Sequence, residues 1–302
     1  MTENKAPIII IGAGLVGLTL AQALKKAGFD FEIYDRDHSL EERPAGWGIT
    51  MHWALPALQS CIPPELFNQL LSIQVDPIEG AKGLVLYQNS TCTLSLTKYG
   101  SLENDWYHFL NLETGQDKYR FPSSTHYRLN RKAFRQLLST GLDINWGKQF
   151  AGFDPADNGV IVKFEDGSSV EGSMLLAVDG KNSRTKRLLI GEERSRLNPL
   201  PVAFVGITLR LSSEKMKPFR DVHPVLWQGT HPGSGYYMFF SMLSTPQSNG
   251  SAGTDDEFYE GQFNMSWLIE QNGPLAKSTA GRLAQVKQAA VSDSGFFPSL
   301  KQ

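Results

Sequence analysis

Two cysteines in 302 residues, Cys61 and Cys92, leave no disulfide framework, and a reducing compartment is the expected setting. An excess of charge of one sign is also missing. The 29 Lys and Arg against 31 Asp and Glu give a formal net charge of −2, so no basic face points to a nucleic-acid partner. The histidines (His38, His52, His108, His126, His223, His231) lack metal-ligand spacing with acids or cysteines, and no metal site is expected. Neither a Walker phosphate loop nor a nucleophile elbow occurs, which sets aside P-loop NTPases and α/β-hydrolases. The longest apolar stretch, residues 8–24, is interrupted by Gly12, Gly14 and Gly17 and contains Gln22. No small-residue cleavage site follows it, so it reads as a buried strand running into a packed helix, not as a signal peptide or membrane span. A cytoplasmic protein that needs no membrane is expected.

That same stretch holds the strongest positive signal. Ile8–Ile11 is a short β-branched run suited to a central parallel strand. Leu15–Ala27 has helical spacing, with Leu15, Leu18, Leu20, Ala21 and Leu24 on its apolar face. Lys25 and Lys26 complement the dipole of its last turn, and Gly28 caps it. Phe31–Tyr34 is a second strand ending at Asp35, which completes a β–α–β unit with a right-handed crossover. Between strand and helix lies Gly12-Ala13-Gly14-Leu15-Val16-Gly17. Gly12 permits the tight turn, Gly14 lets a pyrophosphate approach the backbone, and Gly17 allows close helix–strand packing. An anion on the helix amino end gains roughly 0.3–1 kcal/mol from the dipole. The Asp35 carboxylate suits ribose hydroxyls and repels a 2′-phosphate, so the nucleotide of this unit is read as FAD or NAD and not NADP.

Farther along, helices are expected over Met51–Cys61, Arg131–Leu138 and Arg282–Val291, and strands over Leu84–Tyr87 and Thr93–Thr97. Residues 100–124 show no period but carry several aromatics, as in a functional loop or a cover over a pocket. Ile161–Phe164 and Ser169–Glu171 flank the hairpin signal Glu165-Asp166-Gly167, and the strand Met174–Val178 ends at Asp179-Gly180. From Val202 the pattern is strand-rich: Val202–Leu211, Val225–Gln228, Tyr236–Met242 and Gln262–Ile269. Alternate members of Tyr236, Tyr237, Phe239 and Phe240 would face a pocket, although core packing is the better expectation for any one of them.

The glycine motif with its strand-closing acid, Arg128–Leu138 (RLNRKAFRQLL) and Ala177–Arg187 (AVDGKNSRTKR) occur in an order that resembles the class A flavin monooxygenases. These include para-hydroxybenzoate and salicylate hydroxylases and many fungal relatives. The resemblance covers essentially the whole chain and is weakest after Val202. It implies an α/β fold in which a Rossmann-like FAD-binding domain (residues 1–80 and 125–200) is interleaved with a mostly antiparallel β substrate domain (residues 81–124 and 201–302). It also implies bound FAD, with NADPH or NADH as a transient co-substrate. The implied reaction is O2-dependent hydroxylation or epoxidation of a small organic molecule, aromatic or polyketide-like.

Residue by residue, the resemblance implies that Asp35 takes the place of the ribose-binding acid, usually Glu. Gly48 matches the small residue near the flavin, and Arg131 the arginine that reaches FAD from the start of its helix. Asp179 and Gly180 match the Asp-Gly pair that touches both the flavin and the incoming NADPH. Plainer roles compete: a solvated strand-end acid for Asp35, a surface cation for Arg131 and a helix cap for Asp179, while Arg184, Lys186 and Arg187 are open between attracting NADPH phosphates and a solvated helix face. No catalytic base is singled out. The family's third motif, a late strand ending in Gly-Asp, has no counterpart, since the sequence contains no Gly-Asp dipeptide. The C-terminal part of the FAD domain is therefore expected to be missing, leaving an apolar face for a homo-oligomer or partner. A catalytically inactive binding module and an ordinary NAD-dependent oxidoreductase are the rival readings.

Overall fold

The computed structural model describes residues 6–43, 46–82, 106–122 and 126–291. The strands expected over Leu84–Tyr87 and Thr93–Thr97, and Cys92, lie outside the described residues. Two compact units share the chain. The first comprises Met1–Gly46, Trp53–Leu70 and Arg131–Asn198, and the second Trp47–His52, Leu71–Asn130 and Pro199–Gln302.

The first unit is built on a four-stranded parallel sheet in the order Met174–Ala177, Ile8–Ile11 (β1), Phe31–Tyr34 (β2), Ile144–Asn145. β1 has a parallel partner on each side, Met174–Ala177 and β2, which is why its isoleucines read as a continuous run with no polar face. The helix Leu15–Ala27 (α1) buries Gly17, Leu18 and Ala21 and ends at Gly28, whose φ of 76° lets its N–H reach back to the Leu24 and Lys25 carbonyls. Gln22, the buried polar residue of α1, donates to the carbonyls of Leu138 (2.8 Å) and Thr140 (2.9 Å), which ties α1 to the helix Arg131–Ser139. A three-stranded antiparallel sheet, Phe150–Ala156, Gly159–Phe164 and Ser169–Gly172, contributes Phe150, Val162 and Phe164 to a core with Ile9, Ile11 and Tyr34. Its hairpin turns at Glu165–Gly167, where Gly167 has φ +83°.

A six-stranded sheet dominates the second unit. Its order is Val202–Leu211, Tyr259–Leu268, Tyr237–Ser244, Leu226–Thr230, Trp106–Asn111, Asp117–Pro122. Trp227, Phe240, Met242, Met265 and Trp267 form the core on one face. The helix Ser213–Val222 adds Met216, stacks Phe219 on Phe240 and sets it edge-on to Phe263. That helix is absent from the sequence reading because Pro218 sits inside it, and an internal proline argues against a helix. Residues 106–122 differ from the irregular segment expected. They form a hairpin whose register shifts between Phe109 and Leu110, and that bulge breaks the alternation that marks a strand. Near residue 51, Ile49–Met51 pairs with Tyr127–Leu129 as a short ladder, and the helix begins later, at Leu55, with Pro56 in its first turn.

Candidate functional site

Three glycines of the first loop do three different jobs. Gly12 leaves β1 with φ +113°, and a Cβ there would lie 2.5 Å from the Val178 carbonyl oxygen, so only glycine fits beside the neighbouring strand exit. At Gly17 a Cβ would run into the Gly12 carbonyl, which lets α1 ride directly on the loop. Gly14 is unlike both: its φ of −76° is ordinary and nothing lies within 4 Å of a Cβ built there. Among the described residues no side chain caps the amino end of α1, and no acid stands in its first turn. An open glycine followed by uncapped amides at a positive helix end is the donor set a diphosphate requires.

Around this loop lies a cluster of charges. Asp35 is 4% exposed. Its Oδ2 accepts the Ala13 N–H at 2.6 Å and its Oδ1 the Asp37 N–H at 2.9 Å. Asp37 in turn receives Arg43, whose Nη2 donates at 2.9 Å, and Arg135, whose Nη2 donates at 3.3 Å. Arg135 also donates from Nε to the Ala13 carbonyl (3.1 Å) and from Nη1 to the Leu40 carbonyl (3.0 Å). Arg131 stands exposed at the start of the same helix. The two arginines are one turn apart and share a helix side, so sequence spacing favours neither. Arg135, Asp37 and Arg43 are the residues that the sequence reading passed over.

Asp179 and Gly180 leave the strand Met174–Ala177 beside the glycine loop, since a Cβ on Gly12 would also lie 3.2 Å from the Asp179 nitrogen. Asp179 Oδ2 accepts from both the backbone N–H and the hydroxyl of Thr185, each at 3.2 Å, in the first turn of the helix Arg184–Ile190. The N-cap of that helix is Ser183, whose hydroxyl accepts the Lys186 N–H at 2.8 Å. Gly180 is exposed, with φ +82° and open space around it. Arg184 pairs with Glu165, whereas Lys186 and Arg187 are exposed.

In the second unit, Gly48 lies against a buried arginine. A Cβ at Gly48 would fall 2.8 Å from Arg128 Nη2, so the small residue makes room for that guanidinium. Arg128 donates to Thr50 Oγ1 (2.8 Å) and Ser241 Oγ (2.6 Å) and lies over the Phe239 ring at 5.9 Å. Along this strand the side chains alternate. Tyr236, Met238, Phe240 and Met242 belong to the core, while Tyr237, Phe239 and Ser241 take the opposite face. There Tyr237 donates to Gln228 Oε1 at 2.6 Å, and burial raises the pKa of its phenol. Asn264 is cross-strand from Phe239 and Gly206, and its buried Oδ1 has no hydrogen-bond partner among the described residues. Trp47 covers Gly206 closely enough that a Cβ would lie 2.5 Å from its ring, and it packs on Phe204 with centroids 5.6 Å apart. Burial, then the Arg128 charge, hold the His52 pKa below its usual value, which favours a neutral imidazole. This face offers an aromatic floor with amide, hydroxyl and guanidinium groups at its edges. Such a surface suits a flat molecule with polar substituents.

Among the described residues, no group of three His, Cys, Asp or Glu is placed to hold a metal ion, and no helix is long and apolar enough to cross a membrane.

Comparison with known proteins bears on the family and the fold. Residues 10–44 match the family model of an NAD(P)-binding Rossmann-like domain. The chain is 44% identical over 294 residues to the FAD-dependent monooxygenase dbaB of Emericella nidulans, covering 96% of this chain and 69% of that protein. It is 34% identical over 279 residues to a probable FAD-dependent monooxygenase of Arthroderma benhamiae, covering 90% of this chain and 60% of the relative. A putative FAD containing monooxygenase from Photorhabdus luminescens shares the fold, with a TM-score of 0.64 at 19% identity over 98% of this chain and 72% of that one. So does HpxO of Klebsiella pneumoniae complexed with FAD and uric acid, with a TM-score of 0.59 at 16% identity over 100% of this chain and 64% of that one. The chain thus spans 60–69% of the length of the two fungal proteins.

Proposed function

Because the chain belongs to the FAD-dependent monooxygenase family, we propose that it binds FAD through its first unit and oxygenates a small aromatic or polyketide-like molecule with NADPH or NADH and O2. In that reaction one oxygen atom enters the substrate and the other leaves as water, with two electrons drawn from the reduced nicotinamide. The observation that carries the reading is the amino end of α1, open at Gly14 and uncapped.

The protein's own part begins with the nucleotide. The amides at the start of α1 would hold the diphosphate, which the helix dipole favours. Asp35 spends one lone pair of each oxygen on a backbone N–H and keeps others for the adenosine ribose. Its negative charge disfavours a 2′-phosphate there. Arg131 supplies an exposed positive charge at the start of its helix, and Asp179 and Gly180 give a carboxylate and an unhindered backbone at the carboxyl edge of the sheet. Gly48 keeps a slim backbone beside Arg128. Bound flavin supplies electron transfer and oxygen activation; the residues orient the reactants and exclude water.

The polar face of the second unit takes the substrate. Its aromatic side chains stack on a planar ring, Asn264 Oδ1 accepts from a substrate hydroxyl or N–H, and Arg128 favours a phenolate over a neutral phenol. The uric acid in the HpxO complex is a flat, polar-edged ring of this general kind. The exposed Met174, Leu188 and Leu189 of the first unit give a second copy or a partner an apolar surface, and the protein works in the cytoplasm.

An absorbance spectrum of the purified protein tests the reading. A two-banded flavin spectrum, bleached by NADPH without oxygen, is expected. A colourless protein that neither retains nor takes up added FAD rejects it.

A further inference from the structure

We propose that Arg135 is a positioning residue for the cofactor diphosphate, acting through the peptide unit between Ala13 and Gly14. The inference rests on the FAD reading above and goes beyond it by assigning a residue one helical turn away from the family-matched Arg131.

The argument starts from the loop's own freedom. Gly12 and Gly14 flank Ala13, and glycines on both sides make rotation of the intervening peptide planes sterically easy. A diphosphate needs one orientation only. With N–H groups outward the loop attracts it, whereas an outward carbonyl repels it. Two side chains of opposite charge settle the choice. Asp35 takes the Ala13 N–H, which fixes the plane between Gly12 and Ala13. Arg135 takes the Ala13 carbonyl, which fixes the plane between Ala13 and Gly14. No cis peptide bond occurs among the described residues, so the Gly14 N–H points opposite to that carbonyl, away from Arg135. Gly14 is also the loop glycine with open space around it.

The arginine is itself held in place. Its side chain is 12% exposed. It is fixed by the Leu40 carbonyl and Asp37, and the Trp146 ring lies 5.6 Å from the guanidinium carbon. Asp37 returns through its own N–H to Asp35, so the two grips on Ala13 form one network. A lysine has the charge but not the fork that reaches the Ala13 carbonyl, the Leu40 carbonyl and Asp37 together.

FAD and riboflavin binding to the cofactor-free protein test the assignment, because riboflavin lacks the diphosphate. Flavin fluorescence gives both dissociation constants, and thermal unfolding reports the cofactor-free fold. Arg135→Ala is expected to weaken FAD about tenfold, the loss of a charged hydrogen bond, with riboflavin changed less than about twofold. Arg135→Lys should fall between wild type and Arg135→Ala. A purely structural role would lower the unfolding temperature and leave the FAD-to-riboflavin ratio as in wild type; that result overturns the proposal, as does unchanged FAD affinity. If Arg135→Ala fails to fold, Asp37→Asn, which loosens the arginine without removing it, must weaken FAD selectively along with Arg135→Lys, and equal affinities in both reject the assignment. Wild-type protein that binds no FAD by either readout removes the parent reading and this one together, whereas tight wild-type binding with indifferent variants removes only this one.

Discussion

Asp35 and Arg135 grip the same residue from opposite sides, one holding the N–H of Ala13 at 2.6 Å and the other its carbonyl at 3.1 Å. An acid expected to face a sugar therefore also holds the glycine loop itself. Its carboxylate belongs to the architecture of the loop as well as to the proposed ribose contact.

That dual role makes Asp35→Ala costly even without cofactor. Two buried amides, on Ala13 and Asp37, would lose their acceptor, with an expected loss of roughly 2–4 kcal/mol in urea unfolding. Asp35→Asn keeps an oxygen acceptor and should lose less. Equal stability of Asp35→Ala and wild type would contradict the observed hydrogen bonds.

The glycines separate folding from binding. Gly14→Ala has room and an ordinary φ, so the unfolding temperature should stay within about 2 °C while FAD affinity falls. Gly17→Ala drives a methyl into the Gly12 carbonyl and should destabilise by about 3 kcal/mol or more. Thermal melts of the two cofactor-free proteins check the contrast, and a Gly14→Ala protein that binds FAD like wild type would remove the diphosphate from this end of α1.

Arg220 holds the buried Asp76 at 2.8 Å in the second unit. Burial raises the Asp76 carboxyl pKa, against the lowering effects of the Glu79 backbone N–H and Arg220. A raised folded pKa means the group's contribution to stability is present below the ordinary carboxyl range and lost as pH rises through the folded value. Arg220→Met removes the compensating charge and should lower stability by roughly 3–5 kcal/mol at pH 7, and by less at pH 5, because a carboxyl whose pKa is raised takes up more proton on acidification than an ordinary one. Denaturant titrations at the two pH values measure the difference; equal losses would show that Asp76 is not the group responsible.

Asn264 offers the opposite trade. Its Oδ1 is buried without a partner among the described residues, so Asn264→Leu should leave stability unchanged or raise it by up to about 1 kcal/mol. The same change removes an acceptor from the proposed substrate face and should raise KM for the accepted substrate about tenfold, with FAD affinity unaffected. A variant with wild-type KM would place the substrate elsewhere.

The β1–α1–β2 segment was legible because its signals are local: strand, glycine spacing, helix stripe, capping glycine and closing acid follow one another in the chain. Contacts between distant positions were not. Gly48 resembles a flavin-adjacent glycine, and in the structure Arg128 packs against it, a contact that no spacing rule announces. Arg131 and Arg135 were indistinguishable by period, and only packing shows which one enters the loop network. Asp179 accepts from Thr185 in the first turn of the following helix, a contact compatible with either role read for it. Pro218 and the bulge beside Phe109 each concealed an element by breaking the local rule that would have announced it.

The clamp on Ala13 also limits what the nucleotide motif can do when moved. The stretch that matches the Rossmann-like model, residues 10–44, carries Asp35 but not Arg135. Grafted onto another scaffold, it would bring the glycines and lose the guanidinium that orients them. A designer transplanting this motif would need to import a cation from a packed neighbouring helix, or accept a loop whose amide dipoles are no longer aimed.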